Sequence, residues 1–254
     1  MIILLSPAKS LNEAQTVRPN YTLPRHRKES FELVKVLRGY QEEDLMKLMS
    51  LSKGLAELNH ARYKSFRKTH EADSSFIAVD TFDGDVYKGL EASTWSASEM
   101  DFAQDHLRIL SGLYGLLRPL DLMHPYRLEM GTRLKTDRGN NLYQYWDETI
   151  TRDLNKDLKA IGSRTIVNLA SNEYFKAVKK DKLKAEILTI NFKEYRDGKL
   201  KFISFNAKKA RGLMAKYIIQ NGISSQEDIK GFNIENYGYA VSYTHLTLPT
   251  ILLV

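Results

Sequence analysis

Fixed cations and amides recur in this sequence where strands or helices are expected to end. Lys9 follows the apolar run Ile2–Leu5, Ser171 and Asn172 follow the run from Thr165 to Ala170, and Lys208, Lys209 and Arg211 fall near the start of a helical pattern. A second group lies in LRILSGLYGLLRPLDLMHPYRLEMGTRL, residues 107–134, where Arg108, Arg118, Arg127 and Arg133 stand among Gly112, Gly115, Pro119 and Pro125. Such groups do one kind of chemistry well. Arginine holds phosphate or carboxylate through two parallel hydrogen bonds, and lysine holds it as a compact charge. Glu129, two residues after Arg127, can clamp that arginine toward a ligand, and the same pair would equally serve as an ion pair that fixes a turn. Taken singly, Lys9 and Lys208 also fit solvated loop residues, and Ser171 fits a helix cap.

Other chemistries lack their residues. The six histidines, at positions 26, 60, 70, 106, 124 and 245, show neither paired spacing nor a neighbouring carboxylate cluster, which leaves a zinc or iron site without support. There is no cysteine, so disulfides, thiolate catalysis and thiol redox chemistry are excluded. Glycine-rich phosphate loops and a nucleophile elbow are missing too. No cofactor is expected.

The net charge of +7 is unevenly placed. Between Lys176 and Lys216 there are 13 basic and four acidic residues, a local excess of +9 that leaves the rest of the chain at −2. A segment of this kind faces a polyanion or simply keeps the surface soluble. Hydrophobic residues make up 43% and charged residues 27%, the profile of a folded globular chain. The longest apolar runs are far too short to span a bilayer. MIILLSPAKS has no basic region ahead of its apolar run, so no secretory signal is expected and the cytoplasm is the expected location.

The elements that must position these residues follow from periodicity. IILL reads as a buried strand that leaves into the turn SPAKS. Leu45, Leu48, Leu51, Leu55 and Leu58 recur at spacings of three and four, which predicts one amphipathic helix over Glu42 to Asn59. In the continuation NHARYKSF, Asn59, Arg62 and Tyr63 share a helical face. FIAVD, Phe76 to Asp80, is a second expected strand, and Ser98 with Asp101 resembles a capping pair for a helix reaching Leu110 and ending at Gly112. TIVNLA is a third buried strand. Asp197-Gly198 between two β-rich runs predicts a hairpin, followed by the helix AKKARGLMAKYII with a buried stripe at Ala207, Ala210, Leu213, Met214, Tyr217 and Ile218. Strands interleaved with helices predict a mixed α/β (α+β) layered single domain over residues 1–240. Within it, the glycine turn at 112–115 is expected to join two helices as a loose helix-hairpin-helix, a form whose backbone N–H groups meet DNA phosphates without reading bases.

Several stretches in order, LLSPAKSL, GDVYKGL, the whole of residues 107–134, NLYQYW, VNLASNEYFKAV and ISFNAKKARGLMAKYII, resemble the YaaA family of bacterial peroxide-stress proteins from Met1 to about Tyr239. The resemblance implies a cytosolic protein that is induced by hydrogen peroxide and limits free iron. It also implies binding of double-stranded DNA through a helix-hairpin-helix and a positively charged cleft, in an unusual α/β fold. Inside the matched motifs lie Lys9, Arg118, Tyr126, Arg127, Glu129, Asn172, Lys208, Lys209 and Arg211, which are the expected DNA-binding or anion-binding set. Two functions remain open: sequence-independent binding of duplex DNA, or an enzyme that holds a nucleotide or other phosphorylated small molecule in a basic pocket. After GFNIENYGYA the family pattern is replaced by VSYTHLTLPTILLV, so residues 241–254 are expected to be a non-native tail.

Overall fold

A strand of four consecutive apolar residues needs cover on both faces, which the interior of a sheet layered with helices provides, and Ile2–Leu5 (β1) takes that place, fully buried. The structure is a computed structural model and describes residues 1–14, 18–240 and 250–253. After β1 come Ser10–Leu11 (β2), the helices Arg27–Arg38, Glu42–Met49 and Lys53–Ser65 (α1 to α3), Phe76–Ile77 (β3) and the helical turn Ala78–Thr81 (α4). Phe82–Asp83 (β4), Asp85–Leu90 and Ala97–His106 (α5, α6) lead to Leu107–Ser111, Gly115–Leu117 and Leu122–Met123 (β5 to β7). Leu142–Trp146 and Thr149–Ala160 (α7, α8) precede Thr165–Asn168 (β8) and Asn172–Phe175 (α9). Glu186–Arg196 and Lys199–Lys201 (β9, β10), Ser204–Gln220 and Gln226–Ile229 (α10, α11), and Gly238–Ala240 and Thr250–Leu253 (β11, β12) complete the described order.

The main sheet runs β11-β12-β9-β8-β1-β5-β6, with β10 also paired to β9. β1 lies parallel to β5 on one side and to β8 on the other, and β8 lies parallel to β9. Antiparallel pairs occur toward the edges, β5 with β6 and β9 with β10 and β12. With α8 against β1, α9 against β5 and α10 against β9, this is the mixed α/β architecture that the sequence predicts. The hairpin at Asp197-Gly198 also forms as expected: both residues sit in the left-handed region, at φ 51° and 74°, the conformation a two-residue hairpin turn needs. Of the expected tail, residues 241–249 and 254 lie outside the described residues, and Thr250–Leu253 forms a strand between β9 and β11.

Four local expectations are corrected. Residues 107–117 are a β-hairpin, not two helices about a glycine turn: β5 pairs with β6, and Gly115 turns the chain at φ 70°. Every residue of Leu107–Ser111 is buried, and a strand covered on both faces has no period of two to distinguish it from the end of a helix. The helix before it is capped two residues earlier, by Ser96 and Glu99, with Glu99 N donating to Ser96 Oγ and Ser96 N to the Glu99 carboxylate. The run Glu42 to Asn59 divides into α2 and α3 because Ser50 adopts a left-handed conformation at φ 52°. Beyond that break Leu51 is buried, but Leu55 and Leu58, within α3, are exposed. The strand at Phe76 ends after Ile77, where the chain turns into α4.

One contact fixes the position of α10. Where it crosses α5, the two backbones touch: a Cβ on Gly212 would lie 1.8 Å from the carbonyl oxygen of Val86, and one on Gly89 would lie 2.3 Å from that of Lys209. Gly212→Ala is therefore expected to push the helices apart and lower stability by about 1–3 kcal/mol, measured as a fall in the denaturant midpoint. An unchanged midpoint would contradict the contact. A second expectation concerns pH. His70 and His124 lie buried with ring centres 4.4 Å apart, packed against Phe66 and Tyr114. Burial, with the neighbouring His124 adding to it, lowers the His70 imidazole to about 4, and burial lowers His124 as well. The unfolded chain takes up protons below about pH 6.5 whereas the folded His70 does not, so stability falls as pH drops from about 6.5 toward 4, by up to about 3 kcal/mol for His70. Chemical denaturation at pH 7.5 and pH 5 checks this, and His70→Phe should flatten the difference.

Candidate functional site

β1 and β8 are parallel neighbours, so both end at the same edge of the sheet, the place where open α/β sheets hold ligands. The chain leaves β1 as Ser6–Ser10 and leaves β8 toward Ser171. Ser171 N donates to Ser6 Oγ at 2.9 Å, the two serine hydroxyls lie 3.3 Å apart, and Tyr87 Oη donates to the Ser6 carbonyl at 3.0 Å. These bonds tie β1, β8 and α5 together around a cleft of about 360 Å³. Its walls are the SPAKS turn, residues 83–87, Ser171, Glu173, Tyr174, and Lys208 and Arg211 from α10.

Lys208 and Arg211 lie one turn apart on α10, which the glycine crossing with α5 sets over the cleft. Arg211 has no hydrogen bond or ion pair among the described residues, and burial pushes its guanidinium below the ordinary arginine range. It stays protonated, because arginine does not lose its proton in proteins. Lys208 is exposed and also free of partners among the described residues. Opposite in charge, Asp83 and Asp85 line the same cleft with no ion pair among those residues. Lys9 reaches out of the cleft to Glu129 at 2.6 Å, and the same carboxylate oxygen accepts from Arg127 at 3.1 Å. Arg127 is held from behind, since Tyr63 Oη donates to its carbonyl oxygen.

The sequence-derived set therefore separates. Lys9, Lys208 and Arg211 come together in the cleft, and Glu129 with Arg127 joins them through Lys9. Tyr126 is a buried structural hydroxyl, 2.6 Å from Ser111 Oγ, with its ionisation pushed upward by burial. Asn172 is exposed and does not line the cleft. Lys209 points instead to Glu235, and Arg118 is paired with Asp121 at 2.9 Å. Arg108 is an internal clamp: its Nε donates to Asp157 Oδ2 at 2.6 Å, and Arg25 grips the same carboxylate through two further bonds. Burial alone would raise the Asp157 carboxyl, but the two guanidinium groups outweigh it and hold it below the usual range. The polar cleft residues that reasoning from spacing missed are Ser6, Ser10, Asp83, Asp85, Tyr87, Glu173 and Tyr174. Two of them stand inside the motif GDVYKGL, which was the available signal.

A second concave region lies at the opposite end of β8. An open groove of about 740 Å³ runs between α8 and the segment 182–184, lined by Arg152, Lys156, Lys159, Arg164, Lys182 and Lys184, with Glu148 as its one acidic residue. Arg152, Lys156 and Lys159 share a face of α8 at helical spacing. Lys156 stands 4.0 Å from Asp153, and Arg152 donates to Thr149 Oγ1 at 3.2 Å. The other four cations have no partner among the described residues. Asn155 holds the two walls together, donating to the Lys182 carbonyl at 2.9 Å and accepting from Lys184 N at 2.8 Å.

No helix among the described residues is long and apolar enough to cross a membrane. Residues 1–242 match the family model described as peroxide stress protein YaaA. A UPF0246 protein of Aliivibrio fischeri (strain ATCC 700601 / ES114) is 51% identical over 238 residues, covering 93% of this chain and 92% of its own length. UPF0246 proteins of Marinomonas sp. (strain MWYL1) and Bordetella avium (strain 197N) are 50% and 49% identical, over 94% and 95% of this chain and 92% and 95% of theirs. With half of the residues shared along nearly the whole length, this chain belongs to the YaaA family of peroxide stress proteins.

Proposed function

We propose that this chain acts in the cytoplasmic response to hydrogen peroxide by binding double-stranded DNA without sequence preference, along the groove between α8 and residues 182–184. Membership of a peroxide stress family supports the first half of this reading. The observation that carries the second half is the groove's charge: six cations against one carboxylate, four of the six unpaired among the described residues. Like charges gathered in one place repel one another, and a row of phosphates relieves that repulsion without any base being read. The bonds from Asn155 set the spacing of the two cationic walls before DNA arrives. The limitation of free iron that the family resemblance implies belongs to the same proposal, as a cellular consequence with no residue of this chain assigned to iron itself.

Fluorescence-anisotropy titration of a labelled duplex over a series of salt concentrations tests this. The affinity is expected to fall steeply and linearly on a log-log plot, and Lys156→Ala/Lys159→Ala/Arg164→Ala should make the slope shallower by about one unit per lost phosphate contact. No binding at low salt, or a slope unchanged in the triple variant, would remove DNA from this groove.

A further inference from the structure

The cleft at the carboxyl ends of β1 and β8 calls for a different ligand from the groove. Its volume of about 360 Å³ is at the small end of ligand pockets, which run from about 300 to 1,000 Å³, and it excludes a duplex. Arg211 is the decisive group. A part-buried cation without a carboxylate partner costs stability, and Arg211 has none among the described residues, whereas other cations near the cleft do: Lys9 and Arg127 take Glu129, and Lys209 takes Glu235. Lys208, one turn earlier and also unpaired among the described residues, gives the cleft two adjacent free positive charges, which match the two negative charges of a phosphomonoester at neutral pH better than the single charge of a carboxylate.

The remaining polar groups say what the phosphate is attached to. Three carboxylates also line the cleft: Glu173 accepts from Gly131 N, while Asp83 and Asp85 have no ion pair among the described residues and, as acceptors only, suit hydrogen-bond donors on the ligand. Ser6, Ser10 and Ser171 add short hydroxyls, able to donate or accept. We propose that this cleft binds a small phosphomonoester of a hydroxyl-rich sugar, a sugar phosphate or a nucleoside monophosphate, with the phosphate on Lys208 and Arg211 and the sugar hydroxyls on Asp83 and Asp85. The site is separate from the DNA groove, at the other end of β8, and its existence does not depend on DNA binding.

Isothermal titration with ribose 5-phosphate, adenosine 5′-monophosphate and inorganic phosphate tests the assignment on the whole chain, with three variants. At least one ester is expected to saturate the protein below about 1 mM, and Arg211→Met should weaken it by about tenfold to a hundredfold. The same variant, freed of an unpaired cation, should melt about 2–4 °C higher without ligand, the reverse of what a structural arginine would give. Asp85→Asn should weaken the ester while leaving inorganic phosphate unchanged. The duplex affinity of Arg211→Met should equal that of the parent, which separates failure of this site from failure of the groove. Saturation by one ester alone identifies the source of the phosphate and supports the proposal. It is overturned if neither ester saturates, if inorganic phosphate binds as tightly as both, or if Arg211→Met binds unchanged or melts lower; should that variant fail to fold, Lys208→Ala with unchanged ester affinity overturns it equally.

Discussion

Everything at the cleft depends on two helices being allowed to touch. α5 and α10 cross at Gly89 and Gly212, with carbonyl oxygens of each helix where the other's side chains would be. At that distance there is no room for a methyl group. The crossing fixes α10 relative to the end of β1, and so fixes where Lys208 and Arg211 point. Tyr87, on the same short helix, reaches back to the Ser6 carbonyl, which ties the crossing to the central strand. A cation pair on a helix that could slide would not define a site. Here the backbone itself is the stop.

The arginines of residues 107–134 illustrate a second constraint. Arg108 and Arg118 each use several donors to hold one carboxylate and nearby carbonyls. Asp157, between Arg108 and Arg25, joins β5, α8 and the loop before α1. Removing one member of such a buried set leaves the others without compensation, which is far more costly than the net worth of any one pair. These cations serve the fold. Among the cations for which no carboxylate is provided among the described residues, two groups gather in concave regions, one at each end of β8.

That distinction between paired and free cations explains how much the sequence disclosed. β1, β8, the Asp197-Gly198 hairpin and the buried stripe of α10 depend on neighbours within a few residues, and local patterns reveal them. So does the family, through motifs that extend along nearly the whole chain. Residues 107–111 defeated the same reasoning because a strand buried on both faces leaves no alternation to read. Whether a given cation is free often depends on partners distant in sequence: Lys9 meets Glu129, Arg108 meets Asp157, and Lys216 meets Glu91. Arg211 and Lys209 look alike in AKKARG and part company in space, one into the cleft and the other onto Glu235. Asp83 and Asp85 went unnoticed because their role comes from a cleft wall that only the glycine crossing creates.

The place of β1 in the middle of the sheet also bears on how the chain comes together during synthesis. Ile3 sits beside Leu107 on one side and Val167 on the other, so the most apolar strand precedes both of its partners by a long stretch of chain. At about 5–20 residues per second on the ribosome, β1 waits several seconds for its first neighbour and longer for its second. During that interval four bare aliphatic side chains and an open row of peptide groups are available to any other strand edge. The parallel pairings that close around it are of the slow, long-range kind. The strand that gives the finished cleft its foundation is thus the segment that most needs shelter while the protein is being made.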